Sequence, residues 1–140
     1  MATDGAAATA RLLRQRLGGE VWLPVEGDSM RPTILAPAEV RVVARDRPRI
    51  GEVWAFVGPA GRVVVHRCER RTPEGYVFHG DGRAPADPVT PPDLLVGRAI
   101  AARDRRGERR LRSADRLLFI ARRAWRRIRR WVRRSSLPPT

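Results

Sequence analysis

The strongest constraint on the fold is a series of short runs of β-branched and aromatic residues between positions 20 and 102. The six runs read EVWLPVE, AEVRVVAR, GEVWAFV, GRVVVHRCER, GYVFHG and LLVGRAIAA. Runs of this length, separated by breakers such as GPAG and TPEG, are typical of antiparallel strands joined by turns. The pattern therefore predicts a mostly β fold, arranged as a sandwich or a partly closed barrel.

A short helix is expected ahead of the strands. Residues 6–17 have helix-forming composition, with Leu12, Leu13 and Leu17 expected on one side and Gly18-Gly19 as the end of the helix. Neither this segment nor any other is long and apolar enough for a secretory signal or a membrane anchor. We therefore expect a chain made and kept in the cytoplasm, with contact to the inner membrane face left to peripheral binding.

The positive charge is concentrated at the C-terminal end. Residues 1–102 contain 14 of the 29 basic residues and 12 acids, whereas residues 103–140 contain the other 15 and only 3 acids, and all the basic residues are arginine. A nearly neutral body with a cationic tail indicates two functions, and the partner of the tail is expected to be a polyanion or an anionic membrane surface. We accordingly divide the chain into a helical lead-in (1–19), a β domain (20–102) and an arginine-rich amphipathic helix and tail (103–140).

The tail has a helical pattern, with Ser113 as a reasonable N-cap and SSLPPT as an extended tip. Its apolar positions are Leu117, Leu118, Ala121, Ala124, Trp125, Ile128, Trp131 and Val132. Two tryptophans opposite many arginines are what an interfacial membrane helix needs, so Trp125, Trp131, Arg126, Arg127 and Arg130 are candidate contacts to a membrane or polyanion. Packing on the body or on a second copy, and nucleic-acid binding through phosphates, remain alternatives.

A candidate nucleophile lies in VEGDSMRPTI, residues 25–34. The Gly-Asp pair favours a sharp turn and Pro32 keeps the following chain extended, so Ser29 is expected at a loop tip. A serine hydroxyl needs a general base to become nucleophilic. Because the chain has no lysine, the candidates for that base are His66 and His79. On its own, such a serine would more often be a turn residue and such a histidine a structural one.

His66 belongs to a strand in which alternation places it on the same face as Val64 and Cys68. A histidine base also needs a carboxylate to orient it, and the Pro- and Gly-rich loop after His79 offers Asp81 and Asp87. Cys68 is the single cysteine, so neither a disulfide framework nor a cysteine-rich zinc site is expected. We interpret it as a small buried apolar residue.

Three segments resemble one known superfamily, that of signal peptidase I and the LexA-type repressors. GDSMRPTI resembles its Gly-x-Ser-Met-x-Pro nucleophile segment, and VVVHRCERR is similar to the strand carrying its general base, with histidine in place of lysine. HGDGRAPADP is similar to the Gly-Asp loop of the endoplasmic-reticulum and archaeal signal peptidases, which use Ser, His and Asp. The resemblance spans residues 21–101 and includes VGRAI as the closing strand.

The resemblance implies a serine peptidase with a signal-peptidase-like β fold and no metal or cofactor. Ser29 matches the nucleophile and His66 the base. Asp87 matches the orienting acid and Asp81 the turn aspartate, with the two roles exchanged as the alternative. The implied reaction is peptide-bond hydrolysis through an acyl-enzyme on Ser29, after small side chains, on a leader or signal-like segment of a precursor peptide.

The residues beside the serine are matched to oxyanion and substrate binding. They are Gly27, Asp28 and Met30, the last matching a residue that packs beside the substrate groove. Many signal peptidases have a serine at the position of Gly27 as a second oxyanion donor, and their membrane anchor and the DNA-binding domain of the repressors are not expected here. A peptide-binding module without turnover and an arginine-tailed nucleic-acid binder are the alternative functions.

Overall fold

The computed structural model describes residues 2–82, 85–111, 121 and 124–132. Helix α1 is followed by seven strands, with a 3₁₀ turn at Pro92–Leu94 ahead of β6. The bounds are α1 Ala2–Arg16, β1 Val21–Val25, β2 Ala38–Val43, β3 Val53–Val57, β4 Val63–Thr72, β5 Gly75–His79, β6 Leu95–Asp104 and β7 Gly107–Arg110. The helical residues 121 and 124–132 are called the C-terminal helix below.

The strands form a single antiparallel sheet in the order β1-β2-β6-β3-β4-β5, with β7 added to β6. Each of the six predicted strand regions overlaps one of these strands, so the prediction of a mostly β fold is confirmed. The sheet is open, so it is not a closed barrel. Among the described residues no ladder joins β1 to β5 at its two ends, and closure requires such a pairing.

The centre of the sheet is β6, which the sequence interpretation ended too early. Leu95–Arg98 pairs with β3, while Ala101–Asp104 pairs with β7. The two-residue loop Arg105-Arg106 joins β6 to β7, and Leu111 beyond β7 is buried in the core. The segment from 103 to 111 therefore belongs to the β domain and not to the helical tail.

Both faces of β3 are buried, and a separate cluster of side chains covers each face. On one face Val53, Ala55 and Val57 join a large cluster that includes residues of α1, here named the α1-side cluster. On the other face Trp54 and Phe56 belong to an aromatic cluster. Its remaining buried members are Cys68, Tyr76, Phe78 and Leu95. The two clusters are the hydrophobic core that holds the functional residues in place.

Helix α1 starts earlier than predicted, and the face that it buries does not include Leu12. Ala6, Ala10 and Leu17 are buried in the α1-side cluster, with Leu13 partly buried beside them. Leu12 is 61% exposed, so the prediction that it lies on the same side as Leu13 and Leu17 is wrong. The spacings of four, three and four between positions 6, 10, 13 and 17 follow one helical face, which position 12 lies outside.

The C-terminal helix is only partly described. The predicted N-cap Ser113, the predicted apolar residues Leu117 and Leu118, and the SSLPPT tip lie outside the described residues. In the described part of the chain, no helix has both the length and the apolar character needed to cross a bilayer.

Candidate active site

Ser29 lies on a turn whose following residues are anchored in the core. The N–H of Arg31 donates to the carbonyl oxygen of Asp28 at 3.1 Å, and the N–H of Ile34 donates to that of Met30 at 3.0 Å. Met30 and Ile34 are buried in the α1-side cluster, whereas Ser29 keeps partial access to solvent. The core thus fixes the turn and leaves the Ser29 hydroxyl at the surface of the domain.

His66 lies in the middle of β4, directly across from Trp54 on β3. Its ring meets Phe56 edge-on, with 6.2 Å between ring centroids. His66 therefore faces the aromatic cluster, which also contains Val64 and Cys68, as strand alternation predicts. The Nε2 atom of His66 lies 2.9 Å from Oγ of Ser29, within hydrogen-bond distance.

Asp87 contacts the other nitrogen of the same ring. Its Oδ2 atom forms a short hydrogen bond with Nδ1 of His66. The backbone N–H of Asp87 donates to the carbonyl oxygen of Phe78 at 2.9 Å, and Thr90 and Tyr76 exchange two backbone hydrogen bonds of 2.7 and 2.9 Å. The loop after β5 is therefore folded back along that strand, which brings Asp87 to His66.

Asp81, the alternative acid, lies elsewhere and has other partners. Its carboxylate accepts two hydrogen bonds from the Arg67 guanidinium, at 2.9 Å from Nε and 2.8 Å from Nη2, and a third from the Thr33 hydroxyl. Arg67 also donates to the carbonyl oxygen of Gly51 at 2.8 Å. Asp81 and Arg67 are both buried, so this is a fully bonded internal ion pair. It links the segment after Ser29 to β4.

Gly80 is required by the close approach of the loop to the backbone of Ser29. A β-carbon at position 80 would lie 2.3 Å from the carbonyl oxygen of Ser29. Two residues later, the N–H of Gly82 donates to that same oxygen at 2.9 Å. The loop therefore touches the backbone of Ser29 directly, and any side chain at position 80 would displace the turn.

The hairpin between β6 and β7 holds the chain that follows Ser29. The carboxylate of Asp104 accepts the N–H of Leu35 at 3.0 Å and is bonded by the guanidinium groups of Arg106 and Arg109. Both guanidinium groups also donate to the carbonyl oxygen of Thr33. Hydrogen bonds from Arg106 above all hold the pKa of Asp104 well below its usual range, against the opposing effect of burial.

The residues assigned to oxyanion and substrate binding have different environments. Gly27 is exposed and has φ of 77°, a left-handed conformation that suits glycine. Asp28 is exposed, with its carboxylate 3.7 Å from the Arg31 guanidinium. Met30 is 1% exposed, so it anchors the turn in the core and presents almost no surface to a bound peptide.

His79 and Cys68 are not part of the constellation around Ser29. His79 ends β5, across from Arg67, and its Nδ1 lies 3.6 Å from a carboxylate oxygen of Glu69. Cys68 is buried in the aromatic cluster, and burial raises the pKa of its thiol to about 12. A thiol with that pKa stays protonated at neutral pH and is a poor nucleophile, in agreement with the interpretation of Cys68 as a core residue.

Sequence reasoning missed the supporting residues of the site. Arg67 and Thr33 carry no motif of their own, because their role depends on a carboxylate 14 residues or more away in the chain. The hairpin of β6 and β7, in contrast, could have been found from the sequence. The letters DRRG, with Asp104 first and Gly107 fourth, are a favourable β-turn sequence that predicts a strand on each side.

The comparisons with known proteins add no assignment. No protein-family model matches the chain, and no curated protein matches it significantly. What the geometry offers chemically is a partly exposed hydroxyl bonded to an imidazole, whose second nitrogen is bonded to a carboxylate. This arrangement suits proton transfer from the hydroxyl to the imidazole, with the carboxylate stabilising the cation that forms.

Replacing Asp104 with Asn is expected to lower the free energy of unfolding by about 2 kcal/mol, because charged hydrogen bonds to a buried carboxylate are lost. Because the pKa of Asp104 is lowered in the folded protein, its carboxylate stabilises the fold at pH values above the usual aspartate pKa. This contribution to stability falls as the pH drops below about 4. Urea unfolding at several pH values measures both effects. The difference between wild type and Asp104→Asn should narrow in acid, whereas exposed Asp46→Asn should match wild type throughout. A constant difference would contradict the assigned role of the carboxylate.

Proposed function

We propose that this protein is a serine endopeptidase of the signal-peptidase type. The observation that carries the proposal is the continuous set of contacts from Ser29 Oγ to His66 Nε2, at 2.9 Å, and from His66 Nδ1 to Asp87. The resemblance of the three sequence segments to signal peptidases supplies the reaction class. The open antiparallel sheet is compatible with a relative of that fold in which β1 and β5 stay unjoined.

In the first step Ser29 Oγ attacks the carbonyl carbon of the scissile peptide bond, and His66 Nε2 takes the hydroxyl proton. The resulting imidazolium is stabilised by Asp87, whose negative charge lies against Nδ1–H. His66 then transfers the proton to the leaving nitrogen as the C–N bond breaks. The products of this step are a free amine and an ester between Ser29 and the acyl part of the substrate.

In the second step a water molecule attacks the ester carbonyl while His66 Nε2 takes one of its protons. The carbon–oxygen bond to Ser29 breaks, and His66 returns the proton to the Ser29 oxygen. A carboxylic acid is released, and the enzyme regains its starting state. The aromatic cluster packed against the ring limits the movement of His66 between these two transfers.

The backbone N–H of Ser29 is the proposed donor to the oxyanion that forms in both steps. Gly27 has no side chain, so it supplies no hydroxyl at the position where many signal peptidases have one. This observation favours a second candidate function, a module that binds peptides at the same site without cleaving them. Turnover distinguishes the two candidates, because both would bind peptide.

The proposed substrate is the leader or signal-like segment of a precursor peptide, cut after small side chains. The class follows from the resemblance. The environment of Ser29 is compatible with an extended peptide, because the residue is partly exposed to solvent.

The test is mass spectrometry of a diverse peptide library after incubation with wild-type protein and with Ser29→Ala. We expect cuts made by the wild type alone, with small residues enriched before the cut. His79→Asn is the matched control and should cut like wild type. Cuts that persist in Ser29→Ala would contradict the nucleophile assignment, and equal peptide binding by both proteins with no cuts would favour the binding module.

The two aspartates should respond differently to substitution by Asn. Asp87→Asn is expected to lower kcat by about 10³- to 10⁴-fold with little change in Tm, because His66 loses its orienting partner. Asp81→Asn is expected to cost about 3 kcal/mol of stability, because buried Arg67 loses its counter-charge. Kinetics on a peptide found in the library, together with thermal unfolding, measure both effects. If Asp81→Asn kept full stability but lost activity, the roles assigned to Asp81 and Asp87 would have to be exchanged.

A further inference from the structure

The C-terminal helix has two sharply different faces. At 100° per residue, the described apolar residues occupy an arc of about 120°, and the described arginines occupy the opposite arc of about 160°. The apolar residues are Ala121, Ala124, Trp125, Ile128, Trp131 and Val132, and the arginines are Arg126, Arg127, Arg129 and Arg130. The segregation is complete, because no described arginine falls within the apolar arc.

The apolar face is turned towards solvent. Trp125 is 61% exposed, Trp131 70% and Ile128 52%, and Val132 is half exposed as well. Side chains of this kind, side by side on one face, form an exposed apolar patch that marks an interaction site. By contrast, Trp54 in the β domain is 1% exposed in the aromatic cluster.

The charge of the helix specifies an anionic partner. Four arginines lie on the face opposite the apolar one, and four more stand at positions 122, 123, 133 and 134 of the sequence. A nucleic acid supplies phosphates but no continuous apolar layer for the tryptophan face. A bilayer with anionic headgroups supplies both, since the rings enter the acyl boundary while guanidinium groups bind lipid phosphates.

We propose that the C-terminal helix binds the surface of an anionic lipid bilayer, lying in the plane of the interface with its tryptophan face inserted. The inference goes beyond the proposed peptidase activity and does not depend on it. It is therefore tested in a Ser29→Ala background, where peptide cleavage has no influence on the result.

The experiment is co-sedimentation of the full chain with vesicles of phosphatidylcholine alone or of phosphatidylcholine and phosphatidylglycerol in equal parts. We expect at least about tenfold stronger binding to the anionic vesicles. Trp125→Ser with Trp131→Ser should weaken that binding about tenfold, because the inserted apolar area is lost. The matched control replaces two exposed apolar residues outside the C-terminal helix, Leu12→Ser in α1 with Val89→Ser in the β domain, and should bind like the parent protein.

Insertion is measured separately on the chain with its tryptophans intact. Lipids brominated in the acyl chain should quench tryptophan emission in anionic vesicles, and the signal should persist at raised salt. Three results would overturn the proposal. One is vesicle binding that is unchanged in the double tryptophan variant and is lost at raised salt, which indicates contact with lipid phosphates alone. Another is binding to duplex DNA in preference to vesicles. The third is a dimer that dissociates in the double tryptophan variant, which assigns the face to a second copy.

Discussion

The alternation of His66 and Arg67 along β4 is the constraint on which the site depends. Consecutive residues of a strand point to opposite faces, so His66 faces the aromatic cluster while Arg67 points to the other side. Each is hydrogen-bonded to one carboxylate of the loop that follows β5: His66 to Asp87 and Arg67 to Asp81. A shift of β4 by one residue would exchange the faces and break both pairs together.

The turn that carries Ser29 is held by contacts from several parts of the fold. Met30 and Ile34 anchor it in the core, and the N–H of Gly82 binds the carbonyl oxygen of Ser29. Asp104 and its two arginines hold residues 33–35 from the side of the β6–β7 hairpin. Such support restricts Ser29 Oγ to the neighbourhood of His66 Nε2, and proton transfer requires that proximity.

The strand regions could be predicted, because they rest on local signals. The pairing of Ser29 with His66 followed only from the resemblance, since the residues alone left both His66 and His79 as candidates for the base. Strand alternation is visible in the letters around His66, and the turn residues are visible around Ser29. The local sequence does not show which aspartate contacts His66, since Asp87 and Asp81 both lie in one Pro- and Gly-rich loop. Long-range hydrogen bonds decide it, from Asp87 N–H to Phe78 and from Asp81 to Arg67.

Other features depend on tertiary contacts that the letters do not contain. Closure of a sheet requires pairing between its first and last strands, and short alternating runs carry no information on that pairing. Strand β7 reads GERR, which has none of the apolar alternation of a half-buried strand, because among the described residues it pairs with β6 alone and its residues are largely exposed. Leu12 was expected on the same side as Leu13 and Leu17, although its spacing of five residues from Leu17 excludes it from that helical face.

The most direct test of the central claim is the reaction of the protein with a fluorophosphonate, followed by peptide mapping in a mass spectrometer. We predict a single adduct on Ser29, formed about 10³-fold more slowly in His66→Asn than in wild type and at the wild-type rate in His79→Asn. Wild-type protein without an adduct on Ser29, or with one that forms equally fast in His66→Asn, would contradict a serine activated by this histidine.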